Sequence, residues 1–344
     1  MSINIFQDVS YPEFVQVIEQ AGQPSFRAGQ VFDWVYRKGA RDFQAMTNLP
    51  EGLRSQLERM YRIGLLKAHR DLASTDGTRK FLFGLEDGEQ VEAALIPGGK
   101  RLTLCLSSQV GCKFGCTFCA SGMKGFQRHL RCAEMVEQLR AVNRHLGQKR
   151  LTHIVFMGIG EPLDNYDQVL KAVRLINAPQ AFHIAARRIT ISTCGLIPQI
   201  RRLKQEGLQI ELSVSLHGYD DESRRALMPV SRRYALSDLI AACQDYSRTT
   251  KRQITFEYIL IKDLTCSRHA AASLARLLKG LLCKINLIPY NKVTESPYDP
   301  PARRETLAFR DALVKKGILA TIRQPRGQDI GAACGQLRYK GNQR

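Results

Sequence analysis

The chain has 344 residues, 44% of them apolar and 24% charged, with no repeat and no proline-rich or glycine/serine-rich stretch. That composition excludes bulk disorder, a fibrous protein and a solenoid, and the length suits one large α/β body with a smaller appendage. Lys and Arg number 51 against 32 Asp and Glu, a formal net charge of +19, which opposes compactness by self-repulsion and points first to a nucleic acid partner. A generally basic protein, or one that binds acidic membranes, is the alternative.

The longest apolar runs, such as 254–261, fall far short of the roughly 20 residues a membrane span needs. The N-terminal MSINIFQDVSYPEF has no basic segment followed by an apolar one, so a cytosolic chain with no membrane partner is expected. Ten cysteines in that compartment should be reduced thiols, metal ligands or redox catalysts, because structural disulfides are not sustained there.

In chain order, YPEFVQVIEQAG, FRAGQVFDWVYRKG and LPEGLRSQLERMYR carry apolar residues three or four apart with Gly or Pro at a boundary, and predict a helical module over 1–70. Its Arg37, Lys38 and Arg41 fit either a grip on RNA backbone or a solvated basic face. RKFLFGL and QVEAALI flank Glu86-Asp87-Gly88 and predict a β-hairpin linking the module to the body over 71–100.

From 101 to 344 strand and helix alternate. Strands are expected at 101–107, 151–157, 187–192, 209–216, 253–260, 283–289 and 318–323, and helices near 132–146, 166–177, 196–206, 236–247, 267–281 and 303–316. Such alternation demands a parallel sheet with right-handed crossovers, and six units with a final strand predict an α/β fold of the incomplete (βα)6 barrel type. A flat doubly wound sheet is the competing architecture.

After the first of these strands comes Gly111-Cys112-Lys113-Phe114-Gly115-Cys116-Thr117-Phe118-Cys119. The spacing CxxxCxxC gathers three thiolates, one fewer than a closed zinc site requires. A four-iron cluster held by three cysteines keeps one iron open, and S-adenosylmethionine can chelate it through its amino and carboxylate groups; the arrangement resembles the radical S-adenosylmethionine (SAM) superfamily. A zinc site with a distant ligand, or three core cysteines, are the alternatives. Further turns at strand ends fit the same reading: Met157-Gly158-Ile159-Gly160-Glu161-Pro162, Ser192-Thr193-Cys194-Gly195, Ser215-Leu216-His217-Gly218 and Pro289-Tyr290-Asn291. Cys132, Cys194, Cys243, Cys266 and Cys283 have no ligand spacing and read as core or surface residues, and Phe114 and Phe118 as shields for the cluster.

Taken together, VEAALIP (91–97), RLTLCLSSQVGCKFGCTFCASG (101–122), FMGIGEPLDN (156–165), ITISTCGLIP (189–198), SVSLHG (213–218), LMPV (227–230) and DIGAACGQL (329–337) resemble the RlmN/Cfr family of radical adenine methyltransferases. The likeness extends to FRAGQVFDWVYRKG and MTNLPEGLR in the helical module. It implies a [4Fe–4S] cluster on Cys112, Cys116 and Cys119, and SAM contacts from Gly160, Glu161, Ser192, Ser215, Leu216, His217 and Asn291. It further implies a methyl-carrying Cys334, a partner thiol at Cys105 and a proton acceptor at Glu92.

The substrate implied is adenosine in 23S ribosomal RNA, with transfer RNA as a second candidate. Carbon 2 or carbon 8 of adenine is an electron-poor ring carbon, not a nucleophile, and cannot displace a methyl group from a sulfonium. By the resemblance, one SAM methylates Cys334, and a second yields the radical that activates the methyl group for addition to adenine. Cys105 then releases the product and leaves a transient disulfide. An electron donor of the flavodoxin kind and a monomeric enzyme are also implied. CASG in place of CATG, and STCG in place of STSG or STIG, depart from the family pattern and leave the RNA target open. Proline after Gly160-Glu161 favours carbon 2 over carbon 8. Two rival functions are a radical SAM enzyme acting on a peptide or protein, which has no need of Cys334 in GAACGQL or of the +19 charge, and a non-catalytic RNA-binding protein with a structural metal.

Overall fold

The computed structural model describes residues 3–293 and 295–338. The N-terminal module comprises β1 (Asn4–Ile5), α1 (Tyr11–Gln20), α2 (Phe26–Phe32) running on into a π-helical turn at Asp33–Lys38, α3 (Glu51–Met60) and β2 (Tyr61–Arg62). Ser10 starts α1 with a capping box: its hydroxyl accepts from Glu13 N while the Glu13 carboxylate accepts from Ser10 N. The module's core is aromatic, with the fully buried Phe6 edge-on to Phe14 at 4.9 Å and to Phe32 at 5.4 Å.

Three antiparallel strands follow, β3 (Lys67–Ala73), β4 (Arg79–Gly84) and β5 (Gln90–Gly98), and β5 pairs antiparallel with β6 (Arg101–Cys105). A small pair, β7 (Gln109–Gly111) and β8 (Phe126–His129), then frames the cysteine loop. The body continues through α4 (Cys132–Leu146), β9 (His153–Phe156), α5 (Tyr166–Asn177), β10 (Ile189–Thr193), α6 (Ile197–Leu203) and β11 (Glu211–Ser215). It closes with α7 (Asp221–Leu227), α8 (Leu236–Thr250), β12 (Ile254–Leu260), α9 (Arg268–Leu277), β13 (Cys283–Pro289), α10 (Arg303–Val314) and β14 (Ala320–Ile322).

One sheet runs β14-β13-β12-β11-β10-β9-β6-β5-β4-β3, and every pair from β6 to β14 is parallel. Strand order follows chain order without reversal, so the sheet is wound in one direction and the doubly wound alternative falls. β14 and β3 stay at opposite edges, which leaves the barrel open. The central strands are buried on both faces because the helices cover one side and the barrel interior the other; all seven residues of β12 are buried, Thr255 and Glu257 among them.

The expected hairpin is therefore part of the main sheet rather than a separate bridge, and its third strand, β3, begins inside the segment read as helical. All seven β3 residues are exposed, so KAHRDLA carries no apolar alternation to betray it, and its charges suit a sheet edge.

The module docks on α4. Arg140, 2% exposed, donates to the carbonyls of Val35, Ala40 and Gly64 and pairs with Glu137, while Gln7 Nε2 donates to Glu137 at 2.7 Å. Arg37 donates to the Ala181 and Pro179 carbonyls and pairs with Asp33, so it tethers the module to the body rather than presenting a free cation. Among the described residues no helix is long and apolar enough to cross a membrane.

Candidate active site

The cysteine loop is pinched at its base. Gly111 has φ +74°, and a Cβ there would meet Gly125 O at 2.0 Å; with glycine in place, Cys112 N donates to Gly125 O at 3.0 Å. Cys119 N donates to Cys116 O at 3.1 Å, and Thr117 N donates to Leu227 O at 3.0 Å, which ties the loop to the end of α7. Cys112, Cys116 and Cys119 line one cavity of about 930 Å³ at the C-terminal ends of the strands.

Burial pushes all three thiols up, Cys112 to about 12, so ionising them calls for a positively charged occupant. Among the described residues, no three Cys, His, Asp or Glu side chains are gathered closely enough to hold a single metal ion. Three thiols that border one cavity can each ligate a different iron atom and leave the fourth iron open, so the residues fit a [4Fe–4S] group.

Three of the rim turns converge on the same cavity, whereas Pro289 and Asn291 of the fourth line an adjoining one. Gly160 has φ +103°, and a Cβ there would lie 2.5 Å from Gln109 Cβ, so the turn admits glycine and lets Glu161 N donate to Gln109 Oε1 at 2.8 Å. The Glu161 carboxylate accepts from Leu163 N at 3.0 Å and Cys194 N at 2.6 Å, and burial raises it to about 7. Ser192 and Ser215 line the cavity. His217 also lines it, with φ +50° and Nδ1 accepting from Ile259 N at 3.0 Å. Burial, and then Arg224, lower His217 to about 3, so the ring is neutral and its Nε2–H is the free donor. Phe118 packs edge-on against it at 4.8 Å, walling the cavity beside the cysteines.

Leu216 is not brought to the cavity: its side chain is fully buried, its N donates to Glu257 O, and its carbonyl accepts from Arg224.

A second cavity, of about 670 Å³, adjoins the first and is lined by Cys105, Cys334, Asn291 and Met157 among others. Cys334 borders both cavities, as do Cys119, Ser121 and Arg323. Burial, and then the neighbouring Cys334, push the Cys105 thiol up to about 12. All ten cysteines are free thiols.

The segment carrying Cys334 has no regular structure after Arg323 and is held by distant groups. Asp329 accepts from Ser74 Oγ at 2.6 Å and Thr75 N at 3.2 Å, and Asp76 accepts from Gly327 N at 2.9 Å. Asn291 Nδ2 donates to Cys334 O at 3.1 Å, and Ala120 N donates to Gly335 O at 2.8 Å. Glu92, 1% exposed, pairs with Lys80 at 3.2 Å and accepts from Arg338 N at 2.8 Å. It does not line either cavity, although it shares a face of β5 with Ile96, which does.

Three participants escaped the motif reading. Cys194, assigned to core or surface, is buried and also lines the cluster cavity. Gln109 shapes the Gly160 turn. Arg224 on α7 donates to carbonyls of two rim turns; its trace in the sequence is the glycine that ends each of STCG and SLHG, since a Cβ on Gly218 would meet Arg224 atoms at 2.5 Å and one on Gly195 would meet Nη2 at 3.1 Å.

A one-way parallel sheet with CxxxCxxC after its first parallel strand and ligand-sized turns at the following strand ends defines a radical SAM enzyme, and residues 106–271 match the Radical SAM superfamily. Residues 3–63 match the ribosomal RNA large subunit methyltransferase N-terminal domain. A Symbiobacterium thermophilum protein named probable dual-specificity RNA methyltransferase RlmN is 46% identical over 335 residues, covering 96% of this chain and 90% of its own. A Syntrophobacter fumaroxidans protein named dual-specificity RNA methyltransferase RlmN is 45% identical over 332 residues, covering 96% and 97%. The crystal structure of a radical SAM methyltransferase from Sphaerobacter thermophilus, 43% identical, superposes with a TM-score of 0.93 over 98% of this chain and all of that one. The chain belongs to the RlmN family of radical SAM RNA methyltransferases. Its cofactors are a [4Fe–4S] cluster and SAM, two molecules of the latter per turnover.

Proposed function

We propose that this enzyme methylates carbon 2 of an adenosine in 23S ribosomal RNA and also acts on transfer RNA, using Cys334 as the methyl carrier. The observation that supports it is the position of Cys334 on the shared wall of two cavities, one lined by the cluster cysteines and the other by Cys105. A group on its sulfur faces cofactor on one side and a second thiol on the other. Pro162 after Gly160-Glu161 is the feature that favours carbon 2.

Cys112, Cys116 and Cys119 hold the cluster. Gly160, Glu161, Ser192, Ser215, His217 and Asn291 surround SAM, with Leu216 contributing main chain alone. Glu161 offers a carboxylate to the amino group, and His217 a neutral Nε2–H donor. When bound, cluster and SAM would supply a methyl group for the thiol and a carbon radical able to take a hydrogen atom from the methyl carbon on the Cys334 sulfur. Cys334 loses its thiol proton as it accepts the methyl, and it is the atom through which protein and RNA become joined. Glu92, anchored by Lys80, receives the ring proton as the adduct gives up its unpaired electron, which the oxidised cluster would take back. Cys105 then attacks the Cys334 sulfur: an S–S bond forms, the carbon–sulfur bond breaks, and the departing carbon takes a proton to become the product's methyl group. The resulting Cys105–Cys334 disulfide is transient and needs external reduction before the next turnover.

A flavodoxin-type donor supplies the electrons, and the enzyme works as a cytoplasmic monomer. Its +19 charge binds RNA through counterion release, so affinity falls with salt at a log-log slope of about −0.7 to −0.9 per phosphate neutralised. The adenine is presented in a loop or flipped out, because the deep groove of an RNA helix is closed to side chains. Mass-spectrometric mapping of methylated adenosines in RNA from cells with and without the gene tests the reading. Loss of 2-methyladenosine from 23S and transfer RNA is expected; unchanged RNA with a modified peptide would overturn it.

A further inference from the structure

Arg224 is 1% exposed, and its donors go to neutral acceptors. Nε donates to Leu216 O at 3.1 Å, Nη1 to Ser231 Oγ at 2.7 Å, and Nη2 to Cys194 O at 2.7 Å and Ser215 O at 3.3 Å. No ion pair within 4.0 Å balances it among the described residues. Asp221 is the carboxylate in its surroundings, and one oxygen of Asp221 is taken by Leu236 N at 2.8 Å. Burying a guanidinium without an opposite charge is costly even when its hydrogen bonds are satisfied, and burial indeed depresses its basicity.

The helix that carries Arg224 is the one that holds the cysteine loop. Leu227 O at the end of α7 accepts from Thr117 N, the residue after Cys116, and the Cys194 and Cys116 thiols are the groups whose ionisation most favours the Arg224 charge. A net negative charge at the cysteine loop is what the buried guanidinium would balance, and three thiolates around an iron–sulfur core provide it. One more electron on that core adds negative charge, which a fixed cation in a low-dielectric surrounding stabilises.

We infer that Arg224 is the buried counter-cation of the iron–sulfur cluster, a positioning residue for the SAM turns whose charge also keeps the cluster's reduction potential within reach of its electron donor. The inference rests on the assignment of the cluster to Cys112, Cys116 and Cys119.

Ser231 makes charge separable from positioning. Ser231→Asp would give Arg224 a carboxylate while leaving its three carbonyl bonds in place, and Ser231→Asn is the neutral control of the same size. The full-length protein is reconstituted anaerobically, iron is counted, and the cluster is titrated spectroelectrochemically with the reduced state read by electron paramagnetic resonance. Ser231→Asp should lower the reduced-to-oxidised ratio at a fixed potential about tenfold, a shift of about 59 mV for one electron, and Ser231→Asn should match wild type. Arg224→Met should shift the same way, and Arg224→Lys should restore most of the loss. Equal potentials for Ser231→Asp and Ser231→Asn, at full iron content, would overturn the inference, and so they would if Arg224→Met failed to hold iron, since the Ser231 pair decides alone. Wild-type protein that takes up no iron would instead sink the cluster assignment.

Discussion

The two loops that carry reactive cysteines are built in opposite ways. The cluster loop is short, closes on itself through Gly111, Cys112 and Gly125, and borrows one bond from α7. The Cys334 loop has no regular structure and is pinned by groups more than 200 residues away, at Ser74, Thr75, Asp76 and Glu92. A ligand set for a rigid inorganic group can be local, because the cluster itself fixes the thiolate geometry. On the proposed mechanism the Cys334 sulfur faces cofactor, RNA and a second thiol in turn, which requires the surrounding fold to steer it. The antiparallel strands β3 to β5 and the turn between β3 and β4 extend the sheet and anchor the loop that carries Cys334.

The largest effect should come from breaking the local loop. Replacing Cys112, Cys116 or Cys119 by Ala is expected to remove iron, brown colour and all activity after anaerobic reconstitution, with metal analysis as the check. Stoichiometric zinc without iron in the wild type would contradict the assignment. Gly160→Ala attacks the rim rather than the ligands. Its positive φ and the 2.5 Å approach to Gln109 imply strain of about 1–3 kcal/mol, so SAM binding should weaken by roughly 5- to 150-fold while iron content holds. Calorimetric titration of SAM reads the difference.

Damage to the steered loop should be smaller and selective. Asp329→Ala removes the acceptor for Ser74 and Thr75, each bond worth about 0.5–1.5 kcal/mol, and should cut turnover about tenfold with cluster and SAM affinity unchanged. Equal loss of iron would show that the two loops fold as one unit.

The smallest effect is on pH. Burial opposes ionisation of Asp76, but hydrogen bonds from Thr78 and Gly327 hold its carboxyl down at about 2. A depressed carboxyl contributes stability above its ordinary value near 3.8 and loses it as pH falls toward 2. Hydrogen exchange of residues 323–338 should accelerate through that window, and Asp76→Asn should flatten the change. Acceleration at alkaline pH instead would reverse the sign and refute the role.

The same contrast explains what could be read from the sequence. The seven parallel strands and CxxxCxxC are local signals, of apolar period and of ligand spacing, and both stand at the expected positions. β3 was hidden because an exposed edge strand has no buried face to alternate. Arg224 was hidden because its acceptors are main-chain carbonyls and one hydroxyl, which leave no charge pattern in the sequence, and a charged residue in a short helix reads as solvent-facing. Cys105 and Cys334 lie 229 positions apart, so resemblance could pair them but no spacing could. Glu92 stood out in its motif, while its partners Lys80 and Arg338 N depend on β4 packing and on the loop's final path.

The central claim is that Cys334 carries the methyl group and Cys105 frees the product. Cys105→Ala keeps Cys334 on the wall between the two cavities and removes the thiol that releases it. Denaturing gels of the variant, purified with cellular RNA, should show a nuclease-sensitive slow band, and peptide mass analysis should place a nucleotide on Cys334. Wild-type turnover with no such band, or an adduct on another residue, would contradict the account.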